Sequence, residues 1–182
     1  IQQLGLRAGQ LRNPRPLSLL QNAAFEEWDA AGQEPLAWTV RAAPGVVTLD
    51  RRDKFQGDAA LHIRLPNGSA GLRSASLVPP SAGRLSISLR AKVPGSSQQP
   101  LVRLVLEVDG KTWYPWSPIG VGADGRTLTN EWKEFVFRVS ELPQVEQSFR
   151  VGLEVGGAGE VLIDDLQFFD ILVLDHSEQN AL

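Results

Sequence analysis

From Arg84 to Val93 the chain alternates without a break. Leu85, Ile87, Leu89, Ala91 and Val93 are apolar; Arg84, Ser86, Ser88, Arg90 and Lys92 are polar. Side chains of an extended strand point to opposite faces in turn. A run like this therefore suits a strand with one face on a core and the other turned to solvent or ligand. Similar alternation recurs at Ala60 to Leu65, Leu101 to Val108, Trp132 to Ser140 and Phe149 to Val155. Shorter extended runs are expected at Leu17 to Asn22, Leu36 to Val40, Val46 to Arg51 and Leu72 to Val78. Turn signals separate them. Asn67-Gly68 and Asp109-Gly110 predict hairpins, Pro79-Pro80 ends a strand, and Gly156-Gly157-Ala158-Gly159 is a tight connection. No segment carries a convincing helical period. The pattern predicts an all-β fold, an antiparallel two-sheet β-sandwich of about ten strands, with a jelly roll as the expected wiring.

The last predicted strand, Gly159 to Phe169, is apolar on both sides yet holds Asp164 and Asp165 at its centre. An ionised carboxylate is costly to bury unless it is paired, hydrogen-bonded or bound to a metal. Alternation places the two acids on opposite faces, with Asp165 as the solvated or salt-bridged one.

A chain of 182 residues is expected to form one domain with a sizeable core. Residues 1–16 read as an arm or linker, 17–170 as the sandwich, and 171–182 as a tail. In that tail Asp175 or Ser177 would cap a helix leading into a further segment. A net charge of −3 gives no basic footprint for nucleic acid. No apolar run approaches the roughly 20 residues that span a bilayer. With no cysteine, disulfides and thiolate chemistry are excluded. The absence of methionine suggests a processed or excised piece of a longer parent chain.

Five motifs in order resemble those of galactose-binding-like β-sandwich modules, which include carbohydrate-binding modules attached to cellulases and xylanases. They are Asn22-Ala23-Ala24-Phe25-Glu26, Pro35-Leu36-Ala37-Trp38, Gly57-Asp58-Ala59-Ala60-Leu61-His62-Ile63, Trp132-Lys133-Glu134-Phe135 and Ile163-Asp164-Asp165-Leu166. The resemblance implies an exported module, extracellular or at the cell surface, that binds a polysaccharide or other glycan without cleaving it. It also implies a structural calcium tying the opening segment to the closing strand. The ligands would be Glu26 and Asp164, with loop oxygens around Lys54 to Gly57, and Asp53 or Asp58 as further candidates. The competing expectation is that Asp164 accepts hydrogen bonds from backbone amides of a neighbouring loop. Trp38 and Trp132 match core positions of the family; Trp28 fits either a core or a surface role.

Sugar faces stack on aromatic rings, so Trp113, Tyr114 and Trp116, grouped in the predicted loop Lys111 to Gly125, are the first binding candidates. The opposing expectation is that this loop folds down and packs them away. A second candidate surface is the polar side of the long strands, with Arg103 and Glu107 beside Arg90, Arg138, Arg150 and Glu154. If no sugar binds, the same fold would serve as a structural or protein-interaction domain. A glycoside-cleaving enzyme would need two carboxylates across a pocket, about 5–10 Å apart. Gly120-Val121-Gly122-Ala123-Asp124-Gly125 is formally a phosphate-loop pattern, but no helix follows it. His62 on a polar strand face and His176 in the tail do not suggest a catalytic or zinc site. Asn67-Gly68-Ser69 is a sequon better explained as a turn.

Overall fold

The computed structural model describes residues 16–17, 20–78, 83–95, 98–120, 126–142 and 148–170. Most of the predicted arm, the tail with His176, and Val121 to Gly125 of the phosphate-loop pattern lie outside these residues. The described residues form ten strands: β1 (Trp38–Arg41), β2 (Val47–Asp50), β3 (Ala60–Leu65), β4 (Ser69–Ser74), β5 (Leu85–Lys92), β6 (Leu101–Val108), β7 (Lys111–Pro115), β8 (Lys133–Val139), β9 (Arg150–Gly156) and β10 (Gly159–Phe169).

They pair antiparallel into two five-stranded sheets. The front sheet runs β1-β4-β9-β6-β7 and the back sheet β2-β3-β10-β5-β8. Between them lie the apolar positions of the alternating strands. Leu72, Leu104, Leu106 and Leu153 come from the front; Leu61, Ile63, Leu85, Ile87, Leu89, Phe137 and Ile163 come from the back. All are buried. Each such side chain removes surface from water worth about 1.5–3 kcal/mol.

Two turn expectations separate in the structure. Asp109-Gly110 is the predicted hairpin, with φ of 51° and 74° at its two residues, the positive pair that a type I′ turn requires. Asn67-Gly68 is not a hairpin turn, because β3 and β4 belong to different sheets. Gly68, at φ 96°, lets the chain cross from back to front instead. An apolar face looks the same to sequence whether its neighbour pairs beside it or packs across the core. The predicted loop from Lys111 also begins as a strand, the edge strand β7. Ser18 and Leu19 of the expected first strand lie outside the described residues, and Leu20 to Ala24 is a bend and turn.

That turn carries the opening motifs. The Phe25 and Trp38 rings meet at 5.2 Å. Trp38 Nε1 donates to the Asn22 carbonyl at 3.1 Å, and Asn22 Nδ2 donates to the carbonyls of Glu27 and Leu36 at 2.7 and 2.8 Å. Trp28 packs against the core and donates from Nε1 to the Phe25 carbonyl. The segment is then laced to β10: Leu17 N donates to Phe168 O at 2.7 Å, and Leu166 N to Ala23 O at 3.1 Å.

The polar face of β5 does not meet solvent as its alternation suggests. Ser86 and Ser88 are buried. Farther along the strand, the loop between β2 and β3 folds back over the sheet. The Arg90 guanidinium sits 4.6 Å from the Phe55 ring centre, and Lys92 Nζ lies 2.8 Å from Asp53 Oδ2. Trp132 packs there too, edge-on to Phe55, half-buried and outside the main core. It therefore supports the loop, whereas the family motif implied a core position.

Asp164 anchors that loop. Its Oδ2 accepts the N–H groups of Phe55 and Gln56 at 2.8 and 3.1 Å, and its Oδ1 accepts Asp165 N at 2.6 Å. Asp165 does not turn to solvent. The pairing of β10 with β5 shifts register between Asp164 and Gln167, and Asp165 adopts φ 50°. This β-bulge breaks the alternation and buries Asp165, whose Oδ1 accepts the side-chain amides of Gln56 and Gln167 at 2.6 and 2.9 Å. Replacing Asp164 by alanine strips three N–H groups of their acceptor. Asp164→Ala is expected to lower unfolding free energy by about 2–4 kcal/mol in denaturant titration. Hydrogen exchange should speed up at the Phe55 and Gln56 amides; unchanged protection there would contradict this anchoring.

Candidate functional site

The outer face of the front sheet is best read by rows. Strand register sets Arg41, Gly71, Glu154 and Arg103 side by side across β1, β4, β9 and β6. The adjacent outward row is Thr39, Arg73, Gly152, Val105 and Pro115. On the other side, Ser69, Gly156 and Leu101 form a third. Glycine thus occupies the middle of every row. A Cβ placed on Gly71 would find its nearest neighbour 3.7 Å away, and on Gly156 4.0 Å away. Both therefore leave a depression. The result is an open groove of about 470 Å³, walled by Arg41 and Ser69 on one side and by Leu101, Arg103 and Pro118 on the other.

Gly152 plays a different part. A Cβ there would come within 2.7 Å of both Arg73 Nη1 and Val105 Cγ2. The missing side chain is the space in which Arg73 lies flat on the sheet. Arg73 Nε binds Glu107 Oε2 at 2.7 Å, Nη2 binds Glu154 Oε1 at 2.7 Å, and Nη1 donates to the Leu72 carbonyl at 3.1 Å. Arg73 and Glu107 are both buried. Charges taken this far from water are tolerated because the guanidinium fork is matched by two carboxylates. Arg41 and Arg103 are exposed, and neither makes an ion pair among the described residues.

The expected aromatic platform is divided between surface and core. Trp113 is 36% exposed, Tyr114 is half-buried, and Trp116 is 7% exposed. Their rings form a chain running inward: Trp113 to Tyr114 at 5.9 Å, Tyr114 to Trp116 at 4.8 Å, and Trp116 to Phe137 of the back sheet at 6.0 Å. Trp116 Nε1 donates to the Arg138 carbonyl at 2.8 Å. Trp116 is therefore a pillar between the sheets, with no ring face free for a ligand. Trp113 remains available for stacking, although it does not line the groove.

The predicted charged surface also divides. Arg103, Glu107, Arg150 and Glu154 belong to the front sheet, and Arg90 and Arg138 to the back sheet. Arg103 stands opposite Glu154, and Glu107 opposite Arg150. Glu107 is committed to Arg73 beneath the groove. Arg41, Arg73 and the three glycines were absent from the sequence-based candidates. Their signal was glycine at outward positions of otherwise regular strands, which marks a close approach of backbone or ligand.

A second cluster joins the opening segment, the loop after β2 and the closing strand. Glu26 Oε2 accepts Asp58 N at 2.7 Å, while Glu26 Oε1 is buried without a hydrogen-bond partner. Gly57, at φ 63°, makes room for it, since a Cβ there would collide with Oε1. Asp164 holds the same loop from the other side. Burial pushes the Asp164 carboxyl above its ordinary value, against the pull of its three amides, and neighbouring Asp165 adds to the rise. Burial likewise raises Asp165, opposed by the Gln167 amide and Arg90. An orphaned oxygen and two carboxyls that are costly to ionise fit a hard cation. Among the described residues no three acidic or histidine side chains converge, so carbonyls such as those of Lys54 and Gly57 would have to complete the shell.

No family model matches the chain, and no curated protein matches its sequence. Solved structures do. TmCBM61, determined in complex with β-1,4-galactotriose, is 18% identical with a TM-score of 0.59, covering 85% of this chain and 98% of that one. The CBM22-1 xylan-binding domain of Paenibacillus barcinonensis Xyn10C is 21% identical with a TM-score of 0.54, covering 84% and 94%. A cyclase from Fischerella sp. TAU, in complex with 4-(1H-indol-3-yl)butan-2-one, is 14% identical with a TM-score of 0.61, covering 86% and 98%. The chain has the β-sandwich fold of these carbohydrate-binding modules. The same fold also houses a cyclase, so activity must be argued from the site.

Removing Arg73 alone would strand the buried Glu107 carboxylate. Arg73→Met is expected to cost about 3–5 kcal/mol in denaturant unfolding, with much of the loss restored in the Arg73→Met/Glu107→Leu double variant. A double-variant loss equal to the sum of the Arg73→Met and Glu107→Leu losses would show that the pair carries no coupling.

Proposed function

We propose that this protein is a non-catalytic glycan-binding module whose binding surface is the glycine-floored groove of the front sheet. The observation that carries this is the groove itself. It is preformed and open, and its floor of Gly71 and Gly156 lets a flat ring approach the backbone. The exposed Arg41 and Arg103 guanidinium groups and the Glu154 carboxylate are placed to reach hydroxyls, while Leu101 and Pro118 offer apolar surface to C–H faces. Trp113, on the edge strand of the same sheet, adds a stacking ring beyond the groove. Likeness in fold to modules solved with galactotriose or named for xylan binding supports the reading. The non-catalytic reading rests on the groove's acids: among its lining residues Glu154 alone is acidic, and it is bound to Arg73, so the lining offers no second carboxylate for a hydrolytic pair. Such a module belongs in an exported, multidomain parent chain, where it holds its neighbours on polysaccharide.

Affinity electrophoresis and calorimetry over galactans, xylans and acidic polysaccharides test this. At least one polymer should retard the protein. Gly71→Val, which suits a strand and fills the floor, should weaken that binding about tenfold or more while leaving the melting temperature in place. Absence of retardation by every polymer would overturn the reading in favour of a structural domain.

The Glu26 cluster is proposed to hold calcium, with Glu26 and Asp164 as its carboxylates. Calcium at a hundredfold its dissociation constant would stabilise the fold by about 2.7 kcal/mol. The melting temperature should fall on adding EGTA, and Glu26→Gln should remove that response. Identical melting with and without chelator would reject calcium here.

A further inference from the structure

The groove carries more positive charge than a neutral sugar requires, in a protein whose net charge is −3. Arg73 is matched by Glu107 and Glu154, so its charge is spent within the sheet. Arg41 and Arg103 are not matched. Both are exposed, both line the groove, and neither has an ion-pair partner among the described residues. They stand in one row with Gly71 and Glu154 between them. Three strand spacings put their backbones about 14 Å apart.

We propose that the groove recognises an anionic glycan, one whose sugars carry carboxylate or sulfate groups. This rests on the glycan-binding reading and narrows it. A guanidinium presents a planar fork that fits either anion with two parallel hydrogen bonds. Glu154 refines the choice. It lies on the midline and stays partly exposed, so it repels an anion at the centre of the groove. Sugar rings then run over Gly71 and Gly156, and their acidic groups project sideways to Arg41 on one flank and Arg103 on the other. Charges held on the flanks act through a water-exposed face, so salt screens them. A nucleic acid is also anionic. It would track a broad basic surface with interleaved aromatic rings, whereas no aromatic side chain lines this groove.

The test compares polygalacturonate, its carboxyl-reduced neutral form, a sulfated galactan, a neutral galactan and a single-stranded oligonucleotide, with the intact chain at low and high salt. Polygalacturonate or the sulfated galactan should bind at least about tenfold more tightly than its neutral counterpart, and the preference should shrink in high salt. Whichever acidic polymer binds identifies the anion. Arg41→Gln and Arg103→Gln, both at exposed positions, should each weaken acidic binding about tenfold, weaken neutral binding far less, and leave the melting temperature unchanged. Equal binding of acidic and neutral partners, or variants that affect both alike, would overturn the charge proposal and leave glycan binding standing. Binding to no polysaccharide would overturn both. Preferential capture of the oligonucleotide would replace a glycan with a nucleic acid.

Discussion

The bulge in β10 is the constraint on which the closed sandwich depends. β10 is the central strand of the back sheet, paired to β3 on one side and β5 on the other. A regular strand would send Asp164 and Asp165 to opposite faces. The register shift, with Asp165 at φ 50°, instead brings both carboxylates to Gln56: its backbone amide binds Asp164 and its side-chain amide binds Asp165. The loop after β2 is held at its own backbone, and from there Phe55 and Asp53 reach Arg90 and Lys92. Glu26 holds the same loop from the opening segment. One irregular strand thus ties the start, the loop and the end of the sandwich together.

The front sheet solves a different problem. Its strands are regular, so side chains must leave room on the outer face without weakening the core face. Glycine at Gly71, Gly152 and Gly156 does this at outward positions only, while Leu72, Leu153 and Val155 keep the inward face apolar. Two of the gaps stay open as the floor of the groove, and the third is filled by Arg73. The glycines cost some strand propensity. The buried Arg73 bridge to Glu107 and Glu154 pins β4 to β6 and β9 across that softened stretch.

The strands were legible because alternation is local: β3 and β6 begin and end where the pattern does. Strand partners were not, since pairing depends on residues far along the chain, and Asn67-Gly68 carries the same local signal as the true hairpin at Asp109-Gly110. The direction of Asp165 failed because a bulge needs a second strand to exist. At the candidate site, aromatic residues attract attention, yet Trp116 is drawn inward by the same large apolar surface that suits a ring to stacking. The groove was harder to see because it is made by what glycine lacks. Arg103 was legible as an outward charge; Arg41, at the end of a four-residue strand, had too little pattern around it to be assigned a face.

The charged groups fall into two sets, those satisfied within the fold and those left open on the front sheet. On the back sheet the acids of the closing strand are buried, and their oxygens accept amides from the loop they secure; on the front sheet Arg73 and Glu107 are likewise consumed in each other. Groups so satisfied gain little from a sugar hydroxyl, because any new hydrogen bond to it must replace one already made. Arg41 and Arg103 carry no such ion pair among the described residues. Their side chains project from opposite walls of a groove whose floor is already open, so binding need not dismantle any interaction that supports the fold. On the proposed reading, recognition is set by the outer ends of the row and stability by its middle, which leaves ligand preference free to change at Arg41 and Arg103 while the Arg73 bridge stays fixed.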